Sequence, residues 1–248
     1  NDSPMRTANP TLNDEVFANA PSMVGGQTMT LQGVVNKTFI LTLLMVISGG
    51  FSWQLVQASP PIGGLLSIGS ALVGFILVMI SSFKPTWSPA IAPAYGVVEG
   101  VFVGVISARY AALYNGIVLQ AALLTLGILF ALLFAYQSRL IKATENFKLG
   151  IVAATGGIAI VYLVSIVLSF FGIQIPLIHE SGMVGIGFSL VVVVIAALNL
   201  VLDFDFIESG VENGAPKYLE WQAALGLLVT VVWLYIELLR LLSKLRRD

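Results

Sequence analysis

The side chains best placed to do chemistry in this sequence are the acids that interrupt its apolar stretches. Asn199-Leu-Val-Leu-Asp203-Phe-Asp205-Phe-Ile-Glu208 follows the apolar run Leu190–Leu198, so two carboxylates stand where a long hydrophobic segment ends. An ionisable group at membrane depth is costly and by default marks function. At about 100° per residue, Asp203 and Asp205 differ by about 200° around a helix and cannot face one site. Asp203 shares a face with Asn199, and Asp205 shares one with Glu208 and Glu212. Asp203 is therefore the expected bundle-facing group and Asp205 the interfacial one. Glu99 lies on a stretch where Gly96, Gly100 and Gly104 recur every four residues. Small residues at that spacing form a groove for a second helix backbone, so Glu99 is expected to point inward. Two uses are open to it: a hydrogen-bonded carboxyl pinning two helices, or a part in transport or gating. Gly226, Thr230, Trp233 and Glu237 form a stripe at helical spacing. Glu237 either faces neighbouring helices from that stripe or pairs with Arg240 three residues on.

The rest of the chain says what must hold these groups. Hydrophobic residues are 57% of the sequence and charged residues 10%, against about 25% charged in an ordinary soluble domain. No charge occurs between Lys37 and Lys84, between Arg109 and Arg139, or between Lys148 and His179. A bilayer core takes about 20 apolar residues per helix, so the sequence describes an integral membrane protein partnered by lipid. The net charge of -1 offers no basic field for nucleic acid. With no cysteine and one histidine, disulfides, thiolate nucleophiles and multi-histidine metal sites are excluded. His179 is expected to be a solvated loop residue.

Seven helices are predicted, at about 38–58, 64–83, 89–108, 115–137, 149–172, 182 to at least 205 with 208 as the alternative end, and 218–243. Pro60-Pro61, Lys84-Pro85, Gly172 to Pro176 and Asn213-Gly214 supply the breaks. Residues 1–36 are polar, hold Pro4, Pro10 and Pro21, and lack a signal-peptide core. They form an expected flexible tail ahead of a transmembrane domain at 37–248. With the N-terminus inside and seven full crossings, Arg6, Lys37, Lys84, Arg139, Lys142, Lys148 and Lys217 lie inside, against Arg109, Arg240, Lys244, Arg246 and Arg247 outside. A last helix that entered and returned would move the C-terminal four inside, and charge counting leaves that choice open.

Enzyme signatures are poor. Gly187-Phe-Ser189 has no paired base, and HExxH, Walker A and GxGxxG patterns are missing. Catalysis is not expected.

Two stretches carry a resemblance. One is Glu99-Gly-Val-Phe-Val-Gly104-Val-Ile-Ser107 with Gln120 to Thr125, and the other is Val201-Leu-Asp203-Phe-Asp205-Phe-Ile207 with Tyr218 and Leu238-Leu-Arg240-Leu-Leu. In order and spacing, over about residues 35–245, they resemble the Bax-inhibitor/YccA-like family, also called the transmembrane Bax-inhibitor-motif family. The resemblance implies an all-α fold of seven transmembrane helices, six wrapped around a central C-terminal one. It also implies a bacterial cytoplasmic-membrane protein that leaks calcium in a pH-sensitive way. In such members an aspartate of helix six pairs with one of helix seven, and an arginine near the end of helix two latches onto them. Asp203 matches the helix-six aspartate. Thr230 stands at the helix-seven position, leaving Glu237, Glu99 or Asp205 to substitute, and Lys84 stands at the latch. Ca²⁺, a hard cation, favours oxygen ligands, which Asp203, Glu99 and nearby carbonyls could supply transiently to a permeant ion; no resident cofactor is expected. The other reading that the resemblance implies is a YccA-like interaction protein that modulates a membrane protease or a stress response.

Overall fold

The computed structural model describes residues 27–171 and 182–246. Residues 1–26 of the expected tail, and His179 and Glu180, lie outside the described residues. Among the described residues every regular element is helical: α1 (Leu31–Ala58), α2 (Ile62–Phe83), a 3-10 turn (Pro85–Trp87), α3 (Ser88–Leu113), α4 (Ile117–Gln137), α5 (Glu145–Phe170), α6 (Met183–Glu212) and α7 (Leu219–Leu245). One isolated antiparallel bridge joins Thr28 to Pro216. All seven α-helices are long and apolar enough to cross a membrane, and the chain is an integral membrane protein.

The expected boundaries hold except where polar residues extend a helix past its apolar run. Helix α1 starts at Leu31, inside the stretch expected to be tail. Thr30 is its N-cap: the hydroxyl accepts the Gly33 N–H at 3.0 Å. The Gln32 side chain donates to Asn36 at 2.8 Å, which supports the first turns with side-chain pairing that hydropathy does not register. Helix α6 likewise continues to Glu212. It is closed by Gly214 at φ +65, a left-handed conformation that glycine adopts without the steric penalty a Cβ brings.

The chain divides into two compact units. The first contains α1–α3 and Asp203–Val229; the second runs Tyr114–Leu202 and Thr230–Asp248. In the first, α1 lies along the glycine stripe of α3. A Cβ on Gly96 would stand 3.2 Å from the Leu41 carbonyl oxygen. One on Gly100 would collide with the Met45 carbonyl and Ser48 hydroxyl, and one on Gly104 with the Gly49 carbonyl and Ser52 hydroxyl. The Ser52 Oγ sits between the Gly49 and Val101 carbonyls at 3.0 and 3.1 Å, so it links the two backbones. Close backbone approach is how helices associate where lipid is as apolar as the side chains.

Helix α7 is the most enclosed of the seven, with 67% of its apolar window buried against 17% for α1, α4 and α5. At 1.5 Å per residue its 27 residues span about 40 Å. In the first unit its start meets the start of α1, the end of α2 through Ser81 and Gln222, and the start of α3 through the Ser88 hydroxyl on the Tyr218 carbonyl at 3.0 Å. In the second unit its end meets the starts of α4 and α6. Arg246 donates to the Asn115 carbonyl at 2.6 Å and to Gln120 at 2.9 Å, and Lys244 donates to the Gly185 carbonyl at 2.9 Å. The helix is thus a full crossing rather than a segment that enters and returns.

Gly100→Ala or Gly104→Ala should lower thermal stability in detergent by about 1–3 kcal/mol through overpacking. Gly127→Ala on α4, where a Cβ meets nothing within 4 Å, should be neutral or stabilise by up to about 1 kcal/mol. Equal losses at all three positions would contradict the close approach of α1.

Candidate functional site

Helix α6 carries its acids as the helical period demands. Asp203 is fully buried at 0% exposure, whereas Asp205 and Glu208 are half-buried. One turn before Asp203, Asn199 is 4% exposed, and its amide donates to the Thr155 hydroxyl of α5 and the Ile195 carbonyl, both at 2.8 Å. One turn after it, Ile207 is also buried. The face shared by Asn199, Asp203 and Ile207 therefore points away from lipid.

Glu99 belongs to the first unit with Asp203, Asp205 and Lys84. The buried Tyr95, one turn earlier on α3, hydrogen-bonds its carboxyl. On α2, Gly74 leaves the room: a Cβ there would stand 3.5 Å from Glu99 Oε2. Glu99 thus faces α2, whereas the glycine stripe of the same helix receives α1. Lys84 is exposed and its ammonium lies over the Trp87 ring, 4.6 Å from the centroid. Among the described residues no group of three or more His, Cys, Asp or Glu is gathered to hold a metal ion.

The second unit contains Thr230, 3% exposed, and Glu237, 1% exposed. Arg240 donates to both Glu237 oxygens at 3.0 and 3.1 Å, and the Tyr162 hydroxyl of α5 donates to Oε1 at 2.9 Å. The guanidinium also contacts the Tyr162 hydroxyl at 2.5 Å and lies 5.0 Å from its ring centroid. Glu237 does both things open to it: it pairs with Arg240 three residues on and meets a neighbouring helix through Tyr162.

The sequence model of the family described as Bax inhibitor 1 like matches residues 9–247. The chain belongs to this family. The match takes in all seven helices and the stretch ahead of α1, further toward the N-terminus than the two motifs reach. No curated protein matches the chain.

In this Bax inhibitor 1 like protein a cluster that sequence reasoning missed lies at the starts of α1 and α7. Glu220 is 0% exposed. It accepts from the Thr30 N–H at 2.9 Å, the Thr30 hydroxyl at 3.0 Å and the Lys37 ammonium. Lys37 also lies 5.3 Å from the Trp221 ring centroid. A Cβ on Gly33 would collide with the Glu220 carboxylate, so glycine makes the space. Beside it, Ser81 of α2 donates to the fully buried Gln222. An acid in the first turn of a helix normally reads as a dipole complement at the water interface. Its partners are 183 and 190 residues away, and no local pattern marks them. Tyr162 had one weak signal, a phenol alone in an apolar helix.

Arg240→Gln leaves Glu237 buried without its counter-ion and should cost about 3 kcal/mol, read as a lower midpoint of thermal unfolding in detergent. Adding Glu237→Gln should restore much of the loss. A double variant no better than the single one would show that the pair is not what holds this end of α7.

Proposed function

We propose that this Bax inhibitor 1 like protein is a passive cation leak, with calcium as the ion it passes and Asp203 as the group that makes the leak respond to pH. The observation that carries this reading is the complete burial of a carboxyl on a membrane-spanning helix. Desolvation disfavours the charged form of such a group, so gain or loss of one proton changes what it bonds and how α6 packs. The protonated form releases a cation that the ionised form attracts. Glu99, held by Tyr95 in the same unit, is a second oxygen donor for a transient ion, and Asp205 is placed nearer water. Thr230 stands where, by the resemblance, such members carry a helix-seven carboxylate, and Glu99, Asp205 or Glu237 takes that acid's part. Lys84 is the basic group at the end of α2. The leak needs no catalytic step and no resident cofactor, and we assign the protein to a bacterial cytoplasmic membrane with the start of α1 inside.

Reconstituted in liposomes, the protein should pass calcium at a rate that varies with pH, and Asp203→Asn should flatten that pH dependence and change the flux at least several-fold. Unchanged flux and pH profile in Asp203→Asn would remove Asp203 from the mechanism.

The second reading, an interaction protein that modulates a membrane protease or a stress response, is favoured by one feature: residues 27–30, just ahead of α1, are docked on the turn between α6 and α7, with the Met29 N–H on the Ala215 carbonyl at 2.6 Å. Deleting residues 1–26 should then abolish co-purification of a protease partner while leaving calcium flux intact. Loss of flux together with the partner would instead tie that segment to the leak.

A further inference from the structure

Residues 27–30 run across the turn between α6 and α7. The Met29 N–H donates to the Ala215 carbonyl at 2.6 Å, the Lys217 N–H donates to the Gln27 carbonyl at 3.0 Å, and Thr28 bridges Pro216. Met29, 1% exposed, is inserted in a cluster with Val34, Ile207, Ala215, Leu219 and Ala223. Ile207 follows Asp203 by four residues, about 40° around the helix and about 6 Å along it. The methionine therefore covers the same α6 face as Asp203, one turn closer to the membrane surface where α1 and α7 begin. Immediately beside it, Glu220 ties Thr30 and Lys37 down through three donors.

We propose that residues 27–30 are a strap that closes the route between Asp203 and the water at this surface, with Met29 as the plug and the Lys37–Glu220 pair as its catch. An apolar plug on a flexible, unbranched side chain seals without specific geometry. A buried ion pair is well suited to a catch, because removing one partner leaves the other as an uncompensated charge and favours the open state. The strap adds to the leak reading the element that opens and closes it, and its effect on flux rests on that reading; its position does not.

The chain has no cysteine, so introduced thiols report without background. Ile207→Cys should react slowly with a water-soluble methanethiosulfonate reagent, and at least tenfold faster when combined with Met29→Ala or Lys37→Gln. Lys37→Arg, which keeps the charge, should stay slow, and this separates release of the catch from general loosening. Equal rates in all four backgrounds overturn the strap. Bridge partners lie within disulfide reach, so Thr28→Cys with Pro216→Cys should cross-link on oxidation, and failure to do so overturns the docked position. In liposomes, oxidation of that pair should cut calcium flux at least fivefold and reduction should restore it. Flux that is present but indifferent to oxidation overturns the strap as a gate. The expected labelling pattern with no flux from any variant supports the strap and overturns the leak.

Discussion

A charge taken into an apolar medium must meet its partners there or be excluded, and the placement of polar groups in this protein follows from that constraint. Buried charges on α7 gather toward its two ends. Glu220 meets Lys37 and Thr30 at the start; Glu237, Arg240 and Tyr162 meet a few turns from the end, where Lys244 finds the Gly185 carbonyl. Between them the helix buries Ala223, Ala224, Leu225, Leu228, Val232 and Leu234. The ends fix position and register through directional bonds, while the middle is mainly apolar, with Thr230 its buried polar residue.

The apolar helices solve a different problem. Where lipid offers side chains as good an environment as protein does, hydrophobic burial gives little reason for one helix to prefer another. Helix α1 finds α3 through backbone fit: Gly49 of one helix lies against Gly100 of the other, where a Cβ would stand 3.1 Å from the carbonyl oxygen. The outward faces of α1, such as Phe39, Val46 and Phe51, remain exposed to the bilayer.

What could be anticipated from the sequence is whatever is written locally. The seven crossings follow from charge gaps far longer than any soluble helix needs. The glycine stripe of α3 identifies itself by spacing alone, and its occupant lies where the stripe demands. The helical period separates Asp203 from Asp205, and their burial differs accordingly. What could not be anticipated depends on pairing across the chain. The true start of α1 was hidden because Gln32 and Asn36 look like tail residues until the cap at Thr30 is known. Glu220, more completely buried than Glu99, gave no sign of it, since a first-turn acid near a proline turn has an ordinary explanation. For Glu237 both uses were legible and both are formed, but that the neighbour is Tyr162 of α5 was not written locally.

The Lys37–Glu220 pair also sets an order of events during synthesis. Its members are separated by 183 residues, so at roughly 5–20 residues per second a ribosome needs on the order of 10–40 s to deliver the acid after the base. Through that interval α1 is inserted while its ammonium lacks its carboxylate. The contact that anchors the first helix is among the last the nascent chain can make. A product stopped before α7 would carry every glycine needed to seat α1 on α3, yet would keep Lys37 without its carboxylate.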